Sequence, residues 1–593
     1  MKKILFLLLL STTKCLAQIY FGSTASMYVK NEILFVQQNI NLEANSNLYL
    51  RNNGQLIQGT TLSSTNTGQG KLSVYQEGTS DNFEYNYWCS PVGNATAAIV
   101  GNESFGITML HQPTTSTLSN PATIVSNYNG TANPLAISSV WIYKLINANN
   151  YSQWVFVGNA STLAAGEGFS MKGTSGTDST NPEGTGIVNN TGSAQRYDFR
   201  GKPNDGTITI NLGANNSTLT GNPYPSALHL NAFLLDASNV ATGGVAYFWQ
   251  QDKNVNSHYL AAYRGGYGSY SPLLLGSEGL YVPATFNSYN EDGTLNTTGL
   301  SSAPSVPRRY APIGQGFVVF ANANGTATFK NAHRVFTKEG VGVSQFEKQT
   351  KDPANKTDNN DEVSTLQYFK FNTIIDNKFT RQLALAFLPE ATDGVDIGID
   401  ALNMDTSPPN DVAFQIENGN YVIQGVNFDQ SKKIPITVKA TTSATFKFYI
   451  PEVTNFDTSQ AIYLYDALDQ SYHNIKEEGY QVTVAPGTYS DRFKITFTSE
   501  TLGVAEVNEK QFIIFQDNNN NALKASNPNN IAMKSFKIYD MLGKVVLSKE
   551  GLGSDSSFSF STTGLASGIY IVEFLTTDSE KLTQKVVISN SIK

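Results

Sequence analysis

Charged residues are scarce in this 593-residue chain: Asp, Glu, Lys and Arg make up 15% of it, where an ordinary soluble domain has about a quarter. Acidic residues outnumber basic ones by 48 to 40, which gives a net charge of -8. A negative chain has no general attraction for nucleic-acid phosphates or for an anionic membrane surface. We therefore expect that neither nucleic acid nor an anionic membrane surface is a partner.

Cysteine is almost missing, with only Cys15 and Cys89 in the chain. Cys15 lies in an N-terminal segment that we expect to be removed, and Cys89 alone cannot form an intramolecular disulfide. We expect Cys89, which follows Trp88, to be a small buried residue. Stability must then come from apolar cores, and a chain of this length can supply several.

Long apolar runs are also missing, apart from Ile4–Leu10, which follows two lysines. A basic start, a short apolar stretch and a small-residue cleavage site predict a signal peptide over residues 1–17. The stretch is too short to span a bilayer as a helix. A lipidated Cys15 is the alternative, although Lys14 fits poorly where a small residue is expected. We expect no membrane span in the mature chain.

Local signatures of catalysis are missing as well. The five histidines are scattered, with neither H-E-x-x-H nor a Cys/His spacing for zinc. G-x-S-x-G and the P-loop pattern are also absent. We therefore assign no catalytic residue and predict no cofactor other than calcium, considered below. A pair of carboxylates assembled by the fold stays open, because glycosidase acids are not close in sequence.

What the chain has instead is Asn, Ser, Thr and Gly, with aromatic residues at 11%. This composition is typical of extracellular β-structure with long polar loops. Over residues 18–80, short runs such as MYVKN and NLYLRNNGQLIQG alternate apolar and polar residues between Asn and Gly corners. Two interpretations stay open for this segment, a short β-solenoid of stacked rungs or an ordinary antiparallel sheet.

Residues 85–340 form a β-rich region in which two units, 86–173 and 219–320, share a pattern. Each unit opens with an aromatic, Pro-containing turn and closes with a G-x-G-F corner that leads into a strand. The openers are NYWCSPVGN and LTGNPYPSAL, and the closers are LAAGEGFSMKG and YAPIGQGFVVF. The repeated order suggests a duplication. Between the units, RYDFRGKPNDGTITINL (196–212) predicts a hairpin around its Pro-Asn-Asp-Gly turn.

Composition changes again after this region. Residues 341–362 are charged and poor in apolar residues, which predicts a linker. Regularly spaced strand candidates such as KKIPITVKA and TFKFYIP then predict a β-sandwich over residues 363–500.

The chain ends in three strand-rich motifs. They are SFKIYDMLGKVVLSKE (535–550), FSFSTTGLASGIYIVEF (558–574) and KLTQKVVIS (581–589). Short runs of β-branched and aromatic residues between polar turns predict a small antiparallel sandwich. An ordinary Ig-like domain would satisfy the same pattern.

In this order, the motifs resemble the type A C-terminal sorting domain of proteins exported by the type IX secretion system, over residues 507–593. The residues assigned to the sorting signal are Tyr539, Asp540, Gly543, Gly568, Tyr570 and Lys585. The resemblance implies export through the periplasm to the outer cell surface or the medium, with the secretion machinery as partner. In that family the domain is often removed, and the protein is released or joined to surface lipopolysaccharide. The region upstream resembles uncharacterised regions of such proteins, which imply no activity.

One aromatic segment is a candidate ligand site. Flat aromatic faces can stack on sugar rings or peptides, and an arginine beside them can bind polar groups. The candidate residues are Trp249, Tyr259, Tyr263, Arg264, Tyr267 and Tyr270. The alternative is that these rings pack between strands, as buried aromatic residues commonly do.

Three carboxylates in a Gly-containing loop are a second candidate. Asp393, Asp396 and Asp400 lie in DGVDIGID, and clustered oxygens can bind calcium outside the cell. Their spacing is not that of an EF-hand. A solvated loop that caps sandwich strands is the alternative.

Taken together, these patterns predict an all-β, multidomain protein with a solenoid-like or sheet segment, a β-rich tandem region, a β-sandwich and a C-terminal Ig-like sorting sandwich. We predict a non-catalytic adhesin or a protein that binds extracellular glycans or proteins, since catalytic signatures are missing. The alternative is an extracellular hydrolase of polysaccharide or protein with an unrecognised carboxylate site.

Overall fold

The computed structural model describes residues 18–60, 62–184, 186–192, 194–285, 288–289, 295–297, 308–340, 343–346, 366–405, 408–499 and 512–589. Strands dominate these residues, and the prediction of an all-β, multidomain chain is confirmed. The helical segments are α1 (Leu230–Leu234) and the 3-10 turns Ile107–Met109, Ser139–Trp141, Tyr151–Gln153, Ala237–Thr242, Leu260–Ala262 and Asn331–His333. The chain divides into two compact units, Met1–Ser499 and Glu500–Lys593. The predicted signal peptide lies outside the described residues.

The first segment is a stack of parallel strands. Its strands are β1 (Ile19–Phe21), β2 (Ser26–Lys30), β3 (Ile33–Val36), β4 (Ile40–Leu42), β5 (Asn47–Arg51), β6 (Gln55–Gln58), β7 (Thr67–Gly68) and β8 (Lys71–Glu77). Three parallel ladders form, β1-β4-β7, β2-β5-β8 and β3-β6. This pairing is that of solenoid rungs rather than of an antiparallel sheet.

Asparagine makes the corners between these rungs. Asn31, Asn45, Asn52 and Asn53 all adopt left-handed backbone conformations, with φ between 44° and 65°. Asparagine tolerates this region better than most residues because its short polar side chain can hydrogen-bond locally. The Asn-rich punctuation of the sequence is therefore the cause of the turns that stack one rung on the next.

The tandem region follows as a set of small sheets. Its first half contains β9 (Tyr85–Cys89), β10 (Val92–Gly93), β11 (Leu110–Pro113), β12 (Ser119–Pro121), β13 (Thr123–Val125), β14 (Gly130–Thr131), β15 (Ala136–Ser138), β16 (Tyr143–Lys144), β17 (Val155–Phe156), β18 (Gly168–Lys172), β19 (Thr174–Ser175) and β20 (Arg196–Pro203). Its second half contains β21 (Ile208–Leu212), β22 (Ser217–Gly221), β23 (Ala227–His229), β24 (Ala246–Gln251), β25 (Gly265–Ser271), β26 (Leu280–Val282), β27 (Ser288–Tyr289), β28 (Leu295–Thr297), β29 (Tyr310–Ala311), β30 (Gly316–Phe320), β31 (Gly325–Phe329) and β32 (Arg334–Val335).

The two units share one strand pairing. In each, the opening strand pairs antiparallel with the closing strand, β9 with β18 and β22 with β30. Cys89 lies opposite Gly168, and Gly221 lies opposite Gly316. The sequence motifs that open and close each unit are therefore neighbours in space, in the same register.

Glycine lets the two units pack closely against each other. A Cβ on Gly168 would lie 2.8 Å from the Thr220 carbonyl oxygen, and one on Gly316 would lie 2.5 Å from the Tyr87 carbonyl carbon. Each closing strand thus presses its glycine against the opening strand of the other unit. No larger residue fits either position without a backbone shift.

The prediction of a hairpin over residues 196–212 is wrong. Its two strands do form, but β20 pairs with β8, β10 and β11, whereas β21 pairs with β31. The turn residues bind elsewhere: Asn204 donates from Nδ2 to the carbonyls of Ser90 and Pro223, at 3.0 and 3.1 Å. These long-range contacts make the turn a crossing between two sheets.

A third element is a rolled sheet in the region predicted as a sandwich. Its strands are β33 (Gln367–Ile375), β34 (Phe379–Phe387), β35 (Ala401–Leu402), β36 (Asp411–Ile416), β37 (Gly419–Val426), β38 (Lys433–Ala440), β39 (Ala444–Thr454), β40 (Tyr463–Asp466), β41 (Ser471–Asn474), β42 (Tyr480–Val484) and β43 (Gly487–Thr496). Pairing is continuous through all eleven. Phe448 on β39 lies 5.8 Å from Phe493 on β43, although five strands separate β39 from β43 in the sheet. Strands far apart in the sheet therefore face each other, so the two layers predicted for a sandwich are parts of one sheet that folds over its own core. Most of the predicted linker before it lies outside the described residues.

The C-terminal unit is a two-sheet sandwich. Its strands are β44 (Ile513–Asp517), β45 (Ala522–Ser526), β46 (Met533–Tyr539), β47 (Val545–Gly553), β48 (Ser557–Ser561), β49 (Gly568–Thr576) and β50 (Lys581–Ile588). One sheet has the order β44-β45-β48 and the other β47-β46-β49-β50. Phe536 joins them, because its ring lies 3.7 Å from that of Phe560 and 5.4 Å from that of Phe574.

The residues that the sequence assigns to the sorting signal occupy one sheet and its turn. Asp540 accepts hydrogen bonds from the backbone amides of Leu542 and Lys544, at 2.9 and 3.0 Å, and Gly543 has φ of 79°. These contacts form the tight corner between β46 and β47.

The other four residues of that assignment lie on β46, β49 and β50. Tyr539 donates to Glu573 at 3.3 Å, and the buried Tyr570 donates to the Ala566 carbonyl at 2.8 Å. Gly568 begins β49. Lys585 is exposed on β50.

Candidate functional site

Three aromatic rings, those of Tyr128, Trp141 and His258, form a partly exposed surface that we call the aromatic platform. The Trp141 and His258 rings lie 5.2 Å apart at 15° to each other. Tyr128 lies 5.5 Å from Trp141 and 5.8 Å from His258. Tyr128 is 62% exposed, and the other two rings are half-buried. The three rings are therefore in mutual contact, and each is at least partly exposed to solvent.

Distant segments bring these rings together. Tyr128 lies in the loop between β13 and β14, Trp141 ends a 3-10 turn before β16, and His258 follows β24. The Trp141 indole N–H donates to the Tyr128 carbonyl at 2.7 Å. Ser138 and Ser139 donate from Oγ to the Asn127 and Val125 carbonyls, at 2.6 and 3.0 Å, so the turn is fixed against the Tyr128 loop.

A buried cation supports the platform from within. Lys172 on β18 is 3% exposed, and its Nζ lies 3.9 Å from the Trp141 ring centre and 4.7 Å from that of Tyr263. Nζ also contacts the Tyr263 hydroxyl and lies 3.2 Å from His258 Nδ1. Ring faces attract an ammonium group, which offsets part of its lost hydration. Burial nevertheless lowers the pKa of Lys172 to about 7.

A buried carboxyl group lies in the same region. Glu84 is 2% exposed and accepts a hydrogen bond from the Asp81 backbone amide at 3.2 Å. Burial, and then the neighbouring Asp81 charge, raise the pKa of Glu84 to about 7. Burial, and then the Lys172 charge, lower the pKa of His258. Glu84 and Lys172 thus both exchange protons near neutral pH.

An amide group forms the polar edge of the platform. Asn129 Oδ1 lies 2.5 Å from His258 Nε2 and accepts a hydrogen bond from Asn82 Nδ2 at 2.7 Å. Asn129 itself is exposed. The site therefore combines apolar ring faces with a fixed amide beside them.

Further aromatic residues extend this surface along the β16-β17 edge. Tyr85 contacts Trp141 with ring centres 6.3 Å apart, and Tyr143 contacts Phe156 at 5.3 Å. Phe156 is 55% exposed and Tyr151 is 53% exposed. Exposed rings are thus concentrated on the side of the first unit that carries the platform.

Comparison with protein families identifies the chain. Residues 10–497 match the model of the family described as Domain of unknown function (DUF8693). The chain belongs to this family. Residues 517–589 match the secretion system C-terminal sorting domain. The predicted type IX sorting domain is confirmed, and with it the prediction of export to the cell surface or extracellular space through that machinery.

Solved structures and curated proteins add little to this assignment. The DUF8693 chain is 10% identical to a polysaccharide lyase over 38% of its own length, and spans 40% of that chain with a TM-score of 0.13. It is 9% identical to the BSP domain of a biofilm-associated protein over 77% of its length and 88% of that chain, with a TM-score of 0.12. Both TM-scores are too low to indicate a shared fold. No curated protein matches.

Within the part of this family member that the structure describes, no helix has the length and apolar character needed to cross a membrane.

Of the aromatic residues predicted to bind a ligand, Tyr263 lies beneath the platform and Tyr259 has a solvent-exposed side chain. Tyr263 is 4% exposed and contacts Lys172. Tyr259 is 76% exposed and follows His258 directly. Arg264 is half-buried, with its guanidinium 3.9 Å from the Asp252 carboxylate.

The other three predicted residues pack against the protein itself. Tyr270 is 1% exposed and its hydroxyl donates to Asn231 at 2.5 Å. The hydroxyls of Tyr267 and Tyr87 lie 3.0 Å apart, and the Trp249 ring lies 5.4 Å from that of Tyr267. For these three, the structure matches the alternative of rings packed between strands.

Sequence reasoning missed Tyr128, Trp141 and Lys172. Tyr128 stands among polar residues and Trp141 lies in the apolar run VWIY, so neither has a local pattern that marks a surface site. The sequence did mark Lys172, since it is the one charged residue in the closing strand GFSMK. The structure buries this strand along its whole length.

The predicted calcium ligands each have a partner in the protein. Asp393 pairs with Lys432, and Asp396 accepts from the Thr392 amide at 2.6 Å. Asp400 accepts from the amides of Asp396 and Gly425, at 2.6 and 2.8 Å, and burial raises its pKa to about 7. Among the described residues, no group of three or more His, Cys, Asp or Glu is placed to hold a metal ion. Calcium binding at this loop stays a prediction.

Proposed function

We propose that this exported protein binds extracellular glycans through the aromatic platform. The observation that carries the proposal is the contact among three part-exposed rings, Tyr128, Trp141 and His258, beside the fixed amide of Asn129. Sugar rings have apolar C–H faces and polar edges. An aromatic surface can pack against the first while an amide hydrogen-bonds the second.

Rigidity supports this role as well. The rings are fixed by the Trp141 N–H bond to Tyr128, by the two serine bonds behind the turn and by Lys172 underneath. A surface that is already ordered loses little side-chain entropy on binding. Tyr259, exposed and next to His258, is placed to add a further contact at the rim.

The test is retention of the purified full chain on a panel of insoluble and soluble polysaccharides. Trp141→Ala and Tyr128→Ala should each weaken binding at least ten-fold, whereas Trp141→Phe, which keeps a ring, should retain part of it. Tyr20→Ala is the matched control, because Tyr20 is 63% exposed on β1, outside the platform. Equal binding by wild type and both alanine variants would contradict the proposal. Binding to proteins alone would favour an adhesin for protein ligands.

A second candidate function is that of an extracellular hydrolase, and the pKa values of two buried groups support it. Glu84 and Lys172 both have a pKa of about 7, with His258 beside Lys172. Groups that gain and lose protons near neutral pH are what general acid–base catalysis requires.

Release of soluble fragments from the same polysaccharides distinguishes this candidate. An enzyme that uses Glu84 should release fragments with a rate that changes near pH 7, and Glu84→Gln should abolish release while leaving retention. Retention without fragments at any pH would leave binding as the function.

A further inference from the structure

The first rung of the solenoid, formed by β1, β2 and β3, has an open end. Each of these strands lies at the edge of its ladder, and among the described strands each pairs with one neighbour only, in the second rung. A strand edge presents unpaired backbone groups, which proteins usually shield with charges, prolines or a covering segment. The terminal repeats of solenoids are likewise expected to have a polar outer face. A rung that faces only water should therefore be polar.

The first rung is apolar instead. Between residues 18 and 36 only two residues are charged, Lys30 and Glu32. Five large apolar side chains of the rung are exposed: Tyr20 by 63%, Met27 by 37%, Tyr28 by 42%, Ile33 by 41% and Phe35 by 55%. In the second rung, the ladder partners of Met27 and Tyr28 are 0% and 7% exposed. The first rung thus leaves uncovered the positions that the second rung buries.

The pairing of β2 shows which of its backbone groups face the open edge. The Asn31 amide, directly after β2, donates to the Arg51 carbonyl on β5 at 3.2 Å. Because backbone groups alternate in direction along a strand, the odd-numbered residues of β2 face β5 and the even-numbered ones face away from it. The amides and carbonyls of Ser26, Tyr28 and Lys30 therefore point to the open edge. A partner strand centred on Tyr28 would bond all three residues.

A second copy of the chain matches this edge. In an antiparallel pair of two β2 strands with a twofold axis at Tyr28, Ser26 lies opposite Lys30 of the second copy, and Tyr28 lies opposite itself. This register pairs all five residues of β2 and opposes no like charges. It also brings two aromatic side chains together, and such cross-strand pairs are favourable. Because β2 is the middle strand of the rung, the same axis places β1 of one copy against β3 of the other.

The exposed side chains of the rung are sufficient for a dimer interface. A large aromatic side chain has about 150–250 Å² to bury, so five large apolar side chains that are about half exposed offer roughly 500 Å² in each copy. Two copies would then bury roughly 1,000 Å², which is the lower limit of a specific interface. The main-chain edges of the three strands add to this area.

We propose that two copies of this chain dock head to head through their first rungs, with β2 pairing antiparallel to β2 of the second copy about Tyr28. The contact covers the open ladder edges and the apolar side chains of both rungs. A dimer presents two aromatic platforms to one polysaccharide, which strengthens attachment without any new contact. The proposal goes beyond glycan binding and does not depend on it.

Analytical ultracentrifugation of the purified exported chain, which begins after the predicted signal peptide, measures the number of copies. We expect the mass of two copies at high concentration and of one copy on dilution. Tyr28→Lys should weaken the association at least about ten-fold, because two lysines then lie opposite each other. Tyr259→Lys is the matched control, since Tyr259 is 76% exposed outside the solenoid. Tyr20→Ala removes one of five side chains and should leave the copies associated.

A charge exchange at residue 28 tests the register itself. Tyr28→Glu alone should dissociate like Tyr28→Lys, because like charges again face each other. An equal mixture of the two variants should form mixed dimers, since opposite charges then lie across the twofold axis. A variant that merely fails to fold is not rescued by such mixing.

A cysteine at residue 28 provides a second measurement. Directly opposite residues in this pairing have Cα atoms about 5.5 Å apart, within the range that a disulfide spans. Tyr28→Cys should therefore give a covalent dimer on oxidation in air, whereas Tyr259→Cys should not. Cys89 is buried and does not interfere. A single copy at every concentration, an intact dimer in Tyr28→Lys, or no covalent dimer from Tyr28→Cys would each overturn the proposal.

Discussion

At the scale of single residues, Lys172 links stability to pH. Its pKa of about 7 lies below the ordinary value of 10.5 because the folded chain buries the amine. Between pH 7 and pH 10 the unfolded chain therefore holds a proton that the folded chain has released. The free energy of unfolding must therefore rise with pH across this window, by at most about 1.4 kcal/mol per pH unit for one proton.

We expect Lys172→Met to reduce this rise, because methionine carries no titrating group. Urea unfolding between pH 6 and pH 9 measures the effect. All four tryptophans lie between residues 88 and 249, so their fluorescence reports on the region around Lys172. Lys71→Met, on an exposed position of β8, is the control. An identical pH dependence in wild type and Lys172→Met would refute the assignment.

Arg381 is a buried cation of a different kind. It is 1% exposed, and it binds Asp411 through Nε and Nη2 at 2.7 and 3.0 Å and Asp405 through Nη1 at 3.0 Å. Asp405 also accepts the backbone amide of Tyr267 at 3.2 Å, which connects the rolled sheet to β25. Removing the cation would leave two carboxylates buried without their partner.

Arg381→Met should therefore cost about 3–5 kcal/mol, measured as a lower unfolding temperature by calorimetry. The comparison is Lys432→Met, which breaks the ion pair with the 78% exposed side chain of Asp393 and should cost at most about 1 kcal/mol. Equal effects of the two variants would show that burial does not determine the cost.

At the scale of elements, the tandem units depend on two glycines. Gly316 and Gly168 sit where a Cβ would meet the other unit's backbone at 2.5 and 2.8 Å. Gly316→Ala and Gly168→Ala should each cost about 1–3 kcal/mol, because the backbone must shift to make room. Gly276→Ala is the matched control, since nothing lies within 4 Å of its Cβ position. Tryptophan fluorescence during unfolding measures all three, and a neutral Gly316→Ala would argue against close packing of the units.

The same elements explain which features could be predicted from sequence. The solenoid corners depend on local preferences, and Asn31, Asn45 and Asn52 carry that signal themselves. The hairpin prediction failed because Asn204 and its neighbours form long-range contacts, and a local turn pattern gives no information about such contacts. The platform was missed for a similar reason: Tyr128 and His258 are 130 residues apart, and only the packing of both tandem units brings them together.

At the scale of the whole molecule, the C-terminal sandwich determines where the protein goes. A chain that lacks residues 512–593 should accumulate in the periplasm and be lost from the cell surface and medium, because it lacks the sorting domain. Cell fractionation and immunoblotting measure this, with a second type IX cargo as a control for intact machinery. Normal amounts of the truncated chain outside the cell would contradict it.

A point variant asks whether the machinery needs the folded sandwich or only its sequence. Phe536 packs between Phe560 and Phe574, and Phe536→Ala should cost about 3–5 kcal/mol. So small a domain has little stability in reserve, and this loss is enough to unfold most of it. If recognition requires the folded sheets, Phe536→Ala is retained like the deletion, while Lys581→Ala, on a 63% exposed side chain, is exported normally. Normal export of Phe536→Ala, with the deletion still retained, would mean that the machinery reads an extended segment instead of the sandwich.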